Sequence, residues 1–590
     1  MFMMKIKVLI LLAILLINPI FAEENDNSLE FSAMKTKYIS IDLNITMPIY
    51  VSGYTENSEF TYKTAIFSNY KTQTVDIEAY YFDGNNNKIL AEIINENGNR
   101  YAIFKVKPVT KTEYLFYISG SIVSENKTIF NNQDHNLNQE IFEEKEYTLS
   151  SRFIQSNSLE IKTIAKYLKQ SEDAIENLVN VTNWVHDYLE YDNSYIEEVI
   201  DSKTILSERR GVCDEFAILE AAILRAQGYP VKYVVGYANT SQEWGPHAWL
   251  EVYIPNQGWI PVDPTYNEVG LVDSSHIVLE KLKDPVESKD SVTSTSNIEI
   301  AFGNKTHNFK HNETRNYQDS GYENIIKMSM IFNKDNLSSS PFNVKLNLIN
   351  TTPNPVAVLV VSQISQDFNQ IYPNSRKKVY YLKGFEEKNV DYFFILPSVD
   401  NSYSYSFGFS SQLNDIEDFG NIHKNKGIYQ ELFLANNPII FFKDNYFYFE
   451  QDFFNYSNKD KNINFLFDYN GEKTTKQIII QKNNATKYTV TFPILEDANF
   501  NYLISGDYSF SGQTFFYKEH EEIISEVKEE LIDSNVEDVN NYEKIFNNID
   551  KSRIEEKSKL NYVSIVFIVL FMIFIVYLFV MKSIKSNGLQ

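Results

Sequence analysis

Cysteine is nearly missing from this chain: a single thiol, Cys213, stands among 590 residues. One thiol excludes an internal disulfide, so core packing has to hold the fold, and a thiol left over in an exported chain is marked as reactive. Positive charge is also short. Lys and Arg number 54 against 78 Asp and Glu, giving a formal net charge of −24. That balance argues against a nucleic-acid partner, which asks for a basic face, and it is silent on fold. The length predicts several domains, at ~100–200 residues each.

What is there centres on Arg209 to Thr265. Gly211-Val212-Cys213-Asp214-Glu215-Phe216-Ala217 opens a helix, because the acidic pair suits a first turn, where the helix dipole favours negative charge. Phe216, Leu219, Ile223 and Ala226 recur at helical spacing, Gly228 suits the residue just past the helix end, and Pro230 forbids its resumption. Cys213 therefore sits at a helix N-terminus, where a thiol is more readily a thiolate and so a nucleophile.

Val231 to Tyr237 then reads as a strand, and His247 to Ile254 alternates, with His247, Trp249, Glu251 and Tyr253 on one face. Trp259 to Val262 returns as the next strand. Asp263 shares the His247 face only if odd residues pair with odd ones, which predicts an odd-length loop or a bulge, with Pro261 as the expected irregular point.

These blocks resemble the transglutaminase-like superfamily, a branch of the papain-like cysteine enzymes. The resemblance rests on Gly211 to Ala217, on Leu224-Arg225-Ala226-Gln227-Gly228-Tyr229-Pro230-Val231-Lys232-Tyr233 with Gly236-Tyr237, on His247-Ala248-Trp249-Leu250-Glu251-Val252, and on Gly258-Trp259 followed by Asp263-Pro264-Thr265. It implies Cys213 as nucleophile, His247 as general base and acid, Asp263 as the group orienting His247, and an acyl-thioester resolved by water or by an amine. It leaves the substrate open beyond an amide of a protein or peptide.

Blander readings stand beside this one. A lone cysteine is ordinarily a buried small hydrophobe, and a histidine opening a strand is ordinarily structural; the surrounding blocks favour the catalytic reading for both. Trp249 and Trp259 read equally as core or as cleft wall, and His186 reads as a helix-surface residue. Close-spaced ligand pairs are absent, so no metal is expected, nor any cofactor. The competing function class is a binding or structural protein that keeps the fold without activity, or an adhesin.

In chain order, residues 1–22 read as a signal peptide, with Lys5 and Lys7, an apolar run from Val8 and a small residue at Ala22. Residues 23–150 read as a β domain, with strands such as Tyr38 to Ile45, Phe60 to Phe67, Thr74 to Phe82 and Tyr114 to Ile122. Residues 151–305 form the catalytic domain, with helices over Leu159 to Tyr188, a short helix capped by Ser202 and a late strand at Ile298 to Phe302. Residues 306–418 and 419–518 read as two β-sandwiches of immunoglobulin-like size, and 519–560 as an acidic linker. Residues 561–581 have the length and apolarity of a membrane span, and 582–590 read as a cytoplasmic tail. Ten Asn-x-Ser/Thr sequons, among them Asn44, Asn126, Asn239, Asn304, Asn336 and Asn484, allow glycosylation of an exported chain. The expected whole is an α+β, single-pass cell-membrane protein with its bulk extracytoplasmic, carrying a papain-like, transglutaminase-like catalytic domain flanked by β-sandwiches and acting on protein or peptide substrates at the cell surface.

Overall fold

A computed structural model describes residues 36 to 506, less short internal stretches of which 134–143, 333–341 and 423–431 are the longest. The expected signal peptide, acidic linker, membrane helix and tail lie outside the described residues. Two expectations on fold class are corrected. The described chain is mostly β rather than α+β, with four α-helices against a long succession of antiparallel strands. Among the described residues no helix is long and apolar enough to cross a membrane. The aromatic and β-branched residues that fill the long stretches on either side of the helices explain the β excess.

The chain forms two compact units. The first holds nearly everything up to 428 together with 438–450 and 489–498. It opens with a six-stranded and a four-stranded antiparallel sheet. The long first strand, Thr36–Ser52, buries alternate residues from Ile39 through Val51. They meet Phe60, Tyr62, Phe104 and Phe116 in an aromatic core. The late strand expected to close the catalytic domain belongs here instead: Glu299–Phe302 pairs with Ser52 to Ile49. Its neighbour Ser291–Ser294 pairs with Phe60 to Lys63. Both segments are short and mostly exposed, and such short strands take the nearest open sheet edge, a long-range choice that local pattern does not encode.

Four helices follow: α1 (Leu159–Leu168), α2 (Ala174–Tyr188), α3 (Ser202–Glu208) and α4 (Cys213–Ala226). Each of the first three begins at a side-chain cap, Ser158, Asp173 and Asp201 respectively. Asp201, not Ser202, caps α3, because its carboxylate accepts from Lys203 N and Thr204 N, both at 3.1 Å. Ser202 is one residue too late; its buried hydroxyl accepts the Gln155 N–H at 3.0 Å. The middle of α4 is buried on all sides, Glu215 through Arg225 included, and it packs against the other three helices and against the sheet that follows. After Gln227, Gly228 takes φ 96° and the Tyr229 N–H bonds Leu224 O at 3.0 Å, closing the helix end.

That sheet has five antiparallel strands, ordered 268–269, 258–263, 243–254, 231–240, 277–282 across its width. Beyond it, strands between 326 and 422 form two four-stranded sheets around a core that includes Val344, Leu346, Val358, Tyr392, Phe394 and Phe407. The second unit comprises 429–437, 451–488 and residues from 499. Three of its strands, 472–480, 461–469 and 500–506, pair antiparallel, with Ile463, Phe465, Phe467 and Ile480 buried.

Candidate active site

Cys213 is the first residue of α4 and is half-buried. The turn before it is made by Glu215, whose Oε2 accepts the buried Val212 N–H at 2.8 Å. This one half of a capping box, valine having no side-chain acceptor to return the bond, satisfies one donor that a helix start otherwise leaves open. Glu215 is fully buried, and burial pushes its carboxyl up to about 7 against the opposing Val212 hydrogen bond. Arg210-Gly211 pairs in parallel with Glu190-Tyr191, which brings the Tyr191 ring beside Phe216 at 6.1 Å; burial first, and then the neighbouring Cys213 and Asp214, push its hydroxyl up to about 12.

His247 lies on the strand 243–254, and Asp263 closes the strand 258–263. The two strands pair with Ile254 opposite Gly258 and Leu250 opposite Val262. Three residues, Pro255 to Gln257, make the turn. The expected odd-length loop is therefore present, with Asn256 at φ 63° and Gly258 at φ 84°; the left-handed backbone suits asparagine and glycine. The ladder passes through Pro261, opposite Glu251, without a bulge, so the irregularity expected at Pro261 does not occur; the loop alone sets the register. His247 Nε2 stands 2.7 Å from Asp263 Oδ2, and Cys213 lies near enough to His247 to contribute to the rise in its pKa. Cys213, His247 and Asp263, one from a helix and two from a hairpin, are thus brought together.

Asp263 is fully buried and each of its oxygens has two donors. Oδ1 accepts Thr265 N at 2.7 Å and Tyr266 N at 3.0 Å, and Oδ2 meets both His247 and His276, the latter at 2.9 Å. Burial would raise its pKa, but the two histidines and their hydrogen bonds hold the carboxyl well below the usual carboxylate range. Burial likewise opposes an imidazolium at 247. The Asp263 charge and hydrogen bond, with the Cys213 contact, outweigh it and raise His247 to about 9.

Aromatic rings fix the imidazole. Tyr266 stacks with His247 at 5.0 Å and Trp249 at 5.8 Å. Trp249 is buried and belongs to the wall of this site, whereas Trp259 packs under Lys232, whose ammonium sits 3.7 Å from its ring centre. His186, expected on the helix surface, is half-buried: its Nδ1 donates to Pro264 O at 3.1 Å, and burial lowers its pKa.

His276, which sequence reasoning missed, is the second imidazole on Asp263. It precedes the strand Ile277–Leu282 at the far side of the sheet, and Gly236 lets that strand come close. A Cβ at 236 would stand 2.0 Å from Ile277 O and 2.7 Å from Trp249 Cη2. No short motif joins His276 to Asp263; the available signal is its place before a strand that resumes the apolar alternation. His247, Asp263 and His276, and also Glu268, Asp273 and His276, each bring three donor atoms within 4.8 Å of one another. In the first set the contacts are hydrogen bonds to one shared carboxylate oxygen. A carboxylate, two imidazoles and a thiol so placed are groups that can hold and exchange protons.

Residues 162–264 match the model of the transglutaminase-like superfamily. The chain is 32% identical over 151 residues to the uncharacterized protein YebA of Bacillus subtilis, a stretch covering 20% of each protein. It is 36% identical over 72 residues to the protein-glutamine gamma-glutamyltransferase of Pseudomonas aeruginosa, 10% of this chain and 11% of that one. Among solved structures, a putative cysteine protease from Cytophaga hutchinsonii aligns with 48% of this chain and 93% of its own at 19% identity, with a TM-score of 0.38. The chain spans only about a fifth of the length of the Bacillus relative. His276 falls beyond the matched stretch, while Cys213, His247 and Asp263 fall within it.

Proposed function

We propose that the protein is an exported cysteine enzyme that opens amide bonds of proteins or peptides through Cys213, His247 and Asp263. The observation that carries this reading is the His247 imidazole held between Cys213 and the buried Asp263 carboxylate. With His247 raised to about 9, the imidazole holds a proton at neutral pH, and an imidazolium favours the thiolate form of a cysteine beside it. The thiolate attacks the amide carbonyl carbon, and His247 passes its proton to the departing amine as the C–N bond breaks. Water or a second amine then attacks the thioester, giving its proton to His247 and returning the thiolate. A backbone N–H at the start of α4 supports the oxyanion, an interaction worth on the order of 3 kcal/mol per donor in comparable sites. Water is the favoured acceptor, because the Cys213 side chain is only half-buried and excluding bulk water asks for a closed site.

The test is a peptide-amide substrate panel assayed for released amine or ammonia, with and without a primary amine. Turnover that Cys213→Ala and His247→Ala both abolish supports the reading; product carrying the added amine identifies transfer. Turnover unchanged in Cys213→Ala contradicts it.

A further inference from the structure

His276 touches oxygen on both sides of its ring. Nε2 is 2.9 Å from Asp263 Oδ2, and Nδ1 is 3.2 Å from the Asp273 carbonyl and 3.4 Å from its carboxylate Oδ1. A neutral imidazole carries one N–H, so one ring nitrogen would set a bare lone pair against carboxylate or carbonyl lone pairs. Only the doubly protonated ring donates to both sides. The carboxylates in contact with it are Asp263 and Asp273, both buried; Glu268, also buried, is driven toward its neutral form by burial and by the Asp273 charge, and His247, at 5.4 Å between ring centres, is the other cation-forming group. Tyr266 presents its ring edge-on at 5.7 Å.

We infer that His276 is a buried cation and a positioning residue of the acyl-transfer site, anchoring the Asp263 carboxylate and limiting how strongly that carboxylate retains the proton on His247. This rests on the proposed function for its consequence, though not for the charge on His276. Two cations share one oxygen, so each weakens the hold of Asp263 on the other. Burial opposes the charge on His276, but its hydrogen bonds to Asp263 and Asp273 and their charges raise its pKa well above the ordinary histidine value.

The N-terminal sheets hold this cation in place. Ser274 N donates to Thr36 O at 3.0 Å and the Ser274 hydroxyl to Lys37 O. Ser124 Oγ donates to His276 O at 3.2 Å. Gln73 brackets Val278, accepting its N–H at 2.8 Å and donating to its carbonyl at 2.9 Å. Those sheets therefore serve the site through His276.

The experiment is ring-resolved NMR of the full-length chain labelled at histidine, from pH 5 to 10, with His276→Gln, a neutral side chain that still donates to Asp263. The expected result is a wild-type His276 ring that stays doubly protonated from pH 5 through 8, and a His247 midpoint that rises by about 1 pH unit or more in the variant. The alkaline limb of Cys213 alkylation should move upward with it. A wild-type His276 ring carrying a single N–H at pH 7 overturns the inference, and so does an unmoved His247 midpoint in a folded His276→Gln chain. If that variant does not fold, the wild-type ring signals decide. An inert Cys213 beside a doubly protonated His276 sinks the proposed function and leaves the charge assignment standing.

Discussion

His247 and Asp263 share one face of their hairpin because three residues, not four, turn it, and the result is a contact of 2.7 Å between Nε2 and Oδ2. Side chains alternate along a strand, so one residue more in the turn reverses the face of everything beyond it. Inserting one glycine after Asn256 is expected to separate the imidazole from the carboxylate and to lower peptide-amide turnover by about 10²-fold or more. Circular dichroism should show the strands retained. Unchanged turnover in the insertion variant would mean that the Asp263 contact is not needed.

Replacing Asp263 by Asn keeps the shape and removes the charge. Burial then dominates at His247, whose pKa should fall from about 9 to below its ordinary value. Turnover at neutral pH should drop roughly 10³–10⁴-fold, the scale seen when the orienting carboxylate of a nucleophilic triad is neutralised. The stability consequence has a definite sign. A raised histidine pKa stabilises the fold fully below ~6.5 and ceases to do so as the pH rises through about 9. Thermal melts of wild type should weaken across that window, and Asp263→Asn should lose the His247 share of the effect.

Glu220 lies wholly inside α4's packing, with Oε1 accepting Thr182 Oγ1 at 2.7 Å and Oε2 without a partner. Burial raises its pKa to about 8. Between ~4.5 and about 8 the folded chain keeps a proton that the unfolded chain has released, so stability falls as pH rises, by up to ~1.4 kcal/mol per pH unit from this group. Glu220→Gln should flatten that slope in denaturant titrations at pH 5 and 8. An unaltered slope would place the pH dependence elsewhere.

Gly236 should not tolerate a side chain. An alanine Cβ there would collide with Ile277 O and the Trp249 ring, displacing the strand that carries His276. Gly236→Ala is expected to cost about 1–3 kcal/mol, as overpacking does, and to reduce turnover further than that loss of folded protein explains. Normal melting with normal turnover would show that the strands have room to part.

The helix at Cys213, the hairpin and its odd loop were legible because each is written locally: acidic first turn, apolar period, alternation, turn residues. His276 was not, since its link to Asp263 passes across a sheet whose strand order, 258–263, 243–254, 231–240, 277–282, is a long-range result. The strand at Glu299–Phe302, expected within the catalytic domain, joins the first sheet instead for the same reason, an edge being open to any short strand that reaches it. The cap of α3 was misplaced by one residue because Asp201 and Ser202 both suit the position, and only the burial of Ser202 separates them. The excess of β over α follows from strand-rich flanks whose weight the helical centre of the sequence obscured.

The most direct test of the account is the rate of Cys213 alkylation in the folded full-length chain against pH, compared with His247→Ala. The chain has one thiol, so the signal has one source. The account predicts fast reaction at pH 6 to 7, slowed about tenfold or more in the variant, as removal of a paired imidazolium requires. Equal rates in both proteins, or a thiol that reacts only after unfolding, would contradict the pairing of Cys213 with His247 and with it the enzyme.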